Sequence, residues 1–220
     1  MDAAAESSGK RRLPDFSDFE SIAENPFRRA QLSHIQAWIR GATLDVGSNF
    51  GRLSALSAST VSLDVGRRWL LRGIELGNIT RGVVGSALAL PFNDGCFDTV
   101  LAIGITEHIP LPSMSRLLDE LSRVTKRGGR LVINTSSPYA LFALLRIKLW
   151  SDYLHPYSPF RLRRALLRRG WYPLAWMSSG LLGITSVLSG TARGPVPWAR
   201  SVGQVFIRGG PERGDSGRTT

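Results

Sequence analysis

Two carboxylates with a glycine-bearing turn between them carry the first chemical signal in this 220-residue chain. The run Ala42-Thr43-Leu44-Asp45-Val46-Gly47-Ser48-Asn49-Phe50-Gly51 is followed by Val61-Ser62-Leu63-Asp64. Acids at the ends of neighbouring parallel strands can hydrogen-bond the hydroxyl and amino groups of a nucleoside, and glycines let backbone approach it. The glycines fall as G-x-x-x-G, without the third glycine of the dinucleotide fingerprint G-x-G-x-x-G. An acid ahead of the turn suits a ligand carrying an amino group better than a pyrophosphate. The expected ligand is S-adenosylmethionine rather than NAD.

Glu107-His108 and His155, within Tyr153-Leu154-His155-Pro156-Tyr157, are the candidates for proton transfer. A histidine titrates near neutral pH and can take a proton from an oxygen or carbon acid. The plainer reading of each is a residue that orients a loop or sits hydrogen-bonded at the surface. His34 reads as structural. Cys96, the single cysteine, excludes an intramolecular disulfide and a cysteine-based metal cluster, and no metal site is expected. No base stands near it in sequence, so it is no candidate nucleophile.

The elements that must position these residues alternate from Thr43 onward, as in a parallel sheet with right-handed crossovers. Strands are predicted near 43–46, 60–64, 81–84, 98–103 and 130–135, and helices near 51–58, 66–75 and 114–125, the last closed by Gly128-Gly129. Asn25-Pro26 should open an amino-terminal helix carrying Leu32, Ile35, Trp38 and Ile39. Ser158-Pro159 should open another, with five arginines between Arg161 and Arg169. Final strands are predicted near 171–176 and 202–207. The organisation expected is a single domain over 14–208, with a helical cap (14–41), a cofactor-binding core (42–135) and an acceptor side (136–208). Residues 1–13 and 209–220 read as flexible tails.

The formal charge of +11 is uneven. Residues 1–42 hold six bases and six acids, residues 43–140 ten and eight, and residues 141–220 twelve and three. The last third therefore carries the field and favours an anionic partner or a basic solvated face. No signal peptide is evident. The uncharged run from Trp171 to Ala192 is too rich in glycine, serine and threonine for a spanning helix. A cytoplasmic protein is expected, with Arg161–Arg169 available for peripheral contact with an anionic membrane.

Four blocks in order resemble the class I S-adenosylmethionine-dependent methyltransferases, the small-molecule kind that includes ubiquinone and menaquinone methyltransferases. They are Leu44 to Gly51; Ser62-Leu63-Asp64; Ala87-Leu88-Ala89-Leu90-Pro91-Phe92 leading into Phe97-Asp98-Thr99-Val100; and Leu118 to Val124 with Gly128-Gly129-Arg130-Leu131-Val132-Ile133. The resemblance implies an α/β Rossmann-like, doubly wound seven-stranded sheet of order 3-2-1-4-5-7-6 with strand seven antiparallel and helices on both faces. It implies that Asp45 and the backbone around Gly47, Ser48, Asn49 and Gly51 hold the amino-acid end of the cofactor. Asp64 would bind the ribose, Val65 the adenine face, Ser86 and Ala87 the adenine edge, and Ile103 and Gly104 the methionine chain. Two positions depart from the family: Asn49 replaces a glycine and Ser86 an aspartate. Asparagine tolerates left-handed backbone angles, so the turn should survive. Ser86 offers a hydrogen bond without charge, so that contact should weaken.

The function these features imply is methyl transfer to an oxygen, nitrogen or carbon of a small hydrophobic acceptor. The aromatics from Tyr139 to Phe160 would form its apolar lid. Two alternatives stay open: a nucleic-acid methyltransferase using the basic last third, and a cofactor-binding protein without turnover.

Overall fold

The computed structural model describes residues 32–136, 157–181 and 199–209. Four strands bring the acids and the turn together: β1 (Thr43–Val46), β2 (Thr60–Asp64), β3 (Gly82–Val84) and β4 (Phe97–Ala102). The longer β5 (Thr125–Ser136), β6 (Trp171–Leu181) and β7 (Ala199–Arg208) complete a seven-stranded sheet of order β3-β2-β1-β4-β5-β7-β6. The first five strands pair parallel, and β7 lies antiparallel between β5 and β6. The predicted order and the antiparallel seventh strand are both observed.

The pleat sends alternate side chains to opposite faces. Leu44, Val46, Val100, Leu131, Ile133 and Phe206 share one buried cluster with α2 (Met114–Val124) and α3 (Pro159–Leu167). Their neighbours Leu101, Val132 and Val205 form another with Ile35 and the flanking Trp38 and Ile39. Leu117, Leu118 and Leu121 of α2 are at most 1% exposed, and each such burial stabilises by about 1.5–3 kcal/mol. α1 (Arg67–Glu75) follows β2 and lies beside β2 and β3.

Two local expectations fail. The helix predicted over 51–58 is a loop with one 3-10 turn, Ser54–Leu56. Its serines are committed elsewhere: Ser54 Oγ donates to Asp45, and Ser57 and Ser59 bond each other and the nearby backbone. Such side chains compete with helical hydrogen bonding. Gly128-Gly129 do not close α2, which ends at Val124, but lie in a bulge of β5, where Phe97 pairs with Thr125 and Thr99 with Arg130. A Cβ at Gly129 would come within 2.9 Å of Lys126 O and 3.1 Å of Asp98 O. Of the amino-terminal helix, 32–36 is helical and 37–38 is a turn, so the helix stops before Trp38 and Ile39; the part before residue 32 lies outside the described residues. The run from Trp171 is a strand to Leu181, not a spanning helix, and no described helix is long and apolar enough to cross a membrane.

Candidate functional site

The turn after β1 is tied to β2 by its backbone. Gly47 N and Ser48 N both donate to Leu63 O, at 2.8 and 3.0 Å, and Gly51 N closes the turn on Ser48 O at 2.9 Å. Asn49 sits at φ 52°, the left-handed region expected of it, and its Oδ1 accepts from Phe50 N at 2.8 Å. An asparagine thus replaces glycine here by supplying its own local acceptor. Asp64, at the end of β2, clamps two loops: Oδ2 accepts from Asn49 N at 2.9 Å and Oδ1 from Gly66 N at 2.7 Å. Each carboxylate oxygen retains a lone pair for a ligand hydroxyl.

Asp45 lies behind the turn, 1% exposed. Its Oδ2 accepts from Ser54 Oγ at 2.8 Å, and Ser54 Oγ accepts from Ser62 Oγ at 2.6 Å. Burial pushes its carboxyl from 3.8 up to about 7; Asp64 pushes the same way, and the Ser54 hydrogen bond opposes both. Ser48 Oγ, buried in the same turn, has no hydrogen-bond partner among the described residues. A buried carboxyl poised near neutrality, a second acid close enough to raise it and an orphaned hydroxyl form a set of acceptors that a cationic amino-acid group completes. The residues fit S-adenosylmethionine, whose ammonium and sulfonium are both positive.

The remaining expected positions fall around the same strand ends. Val65 follows Asp64 and is 73% exposed, an apolar surface at the end of β2. Ala87 is buried, whereas Ser86 is exposed and its Oγ accepts from Leu88 N at 3.1 Å. Ile103 and Gly104 follow β4 directly, both half-buried. Gly104 has φ 75°, and a Cβ there would meet nothing within 4 Å, so backbone faces open space. Gly47 is tighter: a Cβ would come within 3.1 Å of Ile105.

Glu107 and His108 lie on a 3-10 turn after β4, and their side chains part. Glu107 is buried, with Oε2 accepting from Thr106 Oγ1 at 3.1 Å, while His108 is exposed. His155 lies outside the described residues. Cys96 stands just before β4, at the opposite end of the sheet, and burial pushes its thiol above its usual value. Among the described residues no group of acids, histidines and cysteine is placed to hold a metal.

Three residues escape a sequence reading. Ser54 and Ser62 form the polar chain beneath Asp45, and Asn134 Oδ1 accepts from Gly104 N at 2.6 Å, fixing the turn that ends β4. Each owes its role to a partner at least eight positions away, and no local motif marks it.

Comparisons with known proteins identify the family and the fold. The methyltransferase domain family matches residues 44–133. A phosphatidylethanolamine N-methyltransferase of Cereibacter sphaeroides is 31% identical over 144 residues, covering 60% of this chain and 68% of that one. A demethylmenaquinone methyltransferase of Thermobifida fusca is 33% identical over 137 residues, 58% of this chain and 57% of its own length. The fold is shared with a possible histamine N-methyltransferase from Thermotoga maritima, described as dependent on S-adenosylmethionine. That structure has TM-score 0.72 at 17% identity and covers 87% of this chain and 95% of its own. The cofactor is S-adenosylmethionine, and the chain belongs to the class I methyltransferases that depend on it.

Proposed function

We propose that the protein moves the methyl group of S-adenosylmethionine to an oxygen, nitrogen or carbon of a small apolar acceptor of the quinone or lipid kind. The observation that carries the reading is the pairing of Asp45 and Asp64 across one turn, with Gly104 leaving open space at the end of β4. The acceptor class is supported by the two relatives, one named for a phospholipid and the other for a quinone precursor. In this reading Asp45, with the backbone of Gly47, Ser48, Asn49 and Gly51, holds the amino-acid end. Asp64 takes the ribose, Val65, Ser86 and Ala87 the adenine, and Ile103 and Gly104 the methionine chain.

The cofactor supplies an activated methyl group. The protein supplies position and a dry site, and orientation alone is worth about 7–11 kcal/mol. Glu107 fixes the loop after β4 from inside, and His108, facing solvent on the same turn, receives the proton of a hydroxyl or carbon acid; His155 is the second candidate for that role. His108→Gln should lower kcat by roughly 10²-fold or more with little change in KM if it is the base. An unchanged kcat would remove it from the chemistry.

The test of function is a transfer assay with S-adenosylmethionine labelled in its methyl group. A hydroxylated quinone, phosphatidylethanolamine and RNA are offered separately. Label is expected in the organic extract of the quinone or lipid reaction. Label in RNA alone would overturn the acceptor assignment. Cofactor binding without transfer to anything would favour a protein that has lost turnover.

A further inference from the structure

The five arginines of the α3 region serve two purposes. Arg169 is used internally: Nε donates to Asp119 Oδ1 at 2.7 Å, Nη2 to Ser115 Oγ at 2.6 Å and Nη1 to Ala165 O at 3.0 Å. Arg163 lies over the Trp176 ring, 5.1 Å from its centroid. Arg161, Arg164 and Arg168 are exposed, and their side chains make no hydrogen bond or ion pair among the described residues. At about 100° per residue, these three share one arc of the helix, roughly 120° wide, with Phe160 and Leu167. Those two are 53% and 45% exposed. Residues 153–211 contain eight arginines and neither aspartate nor glutamate.

Topology sets where this arc lies. β6 runs parallel to β5, because both are antiparallel to the β7 between them. α3 descends just before β6, so Phe160 and Arg161 lie toward the strand ends that carry Asp45, Asp64 and Gly104. Thr135 Oγ1, near the end of β5, donates to Tyr157 O at 2.7 Å and fixes that approach.

We propose that this face of α3 docks the protein on an anionic phospholipid surface. Phe160 and Leu167 enter the interfacial layer, and Arg161, Arg164 and Arg168 engage lipid phosphates. Guanidinium matches phosphate through paired hydrogen bonds, and large apolar side chains beside cations are the composition that binds at a headgroup boundary. A nucleic acid would use the arginines but leave Leu167 and Phe160 in water. The inference rests on the apolar-acceptor reading only in that a membrane-resident acceptor gives the docking a purpose.

The test is flotation of the full chain with vesicles of phosphatidylcholine alone or mixed with phosphatidylglycerol. Binding is expected to the mixed vesicles only. The triple variant Arg161→Glu, Arg164→Glu, Arg168→Glu should reduce it at least roughly 100-fold, as three phosphate-facing cations imply. The pair Phe160→Ser and Leu167→Ser should reduce it roughly tenfold through lost apolar burial. Unchanged S-adenosylhomocysteine affinity and melting temperature in both variants establish that they fold. Wild type that ignores mixed vesicles, or binding that survives both variants, overturns the proposal. So does tight RNA binding that the arginine variant loses and the apolar variant keeps. Methylation of a detergent-dispersed acceptor reads the acceptor assignment separately, so either can fail without the other.

Discussion

Asp45 places a titratable group of unusual sensitivity behind the cofactor turn. Its carboxyl titrates near 7 in the folded, ligand-free chain against 3.8 when solvated, with burial the main cause. Between those values the folded state holds the extra proton, so Asp45 lowers stability as pH rises through that window, and the loss is complete above 7. Cofactor binding has the opposite preference, because an ammonium is held by the ionised form. Affinity for S-adenosylhomocysteine should therefore rise across about pH 6 to 8, with proton release measurable by calorimetry in buffers of different ionisation enthalpy. Asp45→Asn should flatten that profile and weaken binding, yet raise the melting temperature above pH 7. A profile equally steep in the variant would assign the titration elsewhere. Asp64→Ala should cost about 1–3 kcal/mol of cofactor affinity through lost charged hydrogen bonds. It also frees Asn49 N and Gly66 N, so its melting temperature should fall too. Both acids were legible in the sequence because strand, turn and acid are contiguous there. Ser54 and Ser62 were not, because what makes them part of the site is the fold that sets them in line with Asp45.

The loop from Ser86 to Gly95 is held to α2 by the side chains of Arg116, Glu120 and Arg123. Arg123 Nη2 donates to Leu90 O at 2.9 Å and Nη1 to Phe92 O at 2.7 Å, while Glu120 Oε2 accepts from Leu90 N at 2.6 Å. Glu120 and Asp94 flank the guanidinium and raise its already high pKa, Glu120 most. Arg123→Ala leaves these carbonyls without their donor and should cost roughly 1–3 kcal/mol, read as a lower urea midpoint at unchanged slope. It should also weaken cofactor binding, since Ser86 and Ala87 hang from the same loop. An unchanged midpoint would show that water replaces the clasp. Gly51→Ala should destabilise as well, because φ is 77° there and the new Cβ would collide with Ile79. Periodicity located α2 and most strands to within a few residues. It failed where the outcome depended on partners: the segment 51–58, with Ser54 and Ser57, turned from helix to loop, and Gly128-Gly129 turned from a helix stop to a bulge against β4.

Over the whole molecule, charge divides along the chain. Residues 43–140 differ by two charges, ten bases against eight acids, whereas residues 141–220 differ by nine, twelve against three. The sequence carried this asymmetry and the strand order implied by the four blocks. It did not show that Arg163 and Arg169 are occupied while Arg161, Arg164 and Arg168 have no partner among the described residues, because Trp176, Asp119 and Ser115 come from other elements. The order of the sheet also has a temporal side. β6 leaves the ribosome before its neighbour exists, since β7, about 20 residues later in the chain, must slide between β5 and β6. At about 5–20 residues per second, the nascent chain carries two raw strand edges for roughly 1–5 s. A chain stopped after residue 181 keeps them permanently, and it should sediment as aggregate in a translation extract where the chain continued through β7 stays in solution.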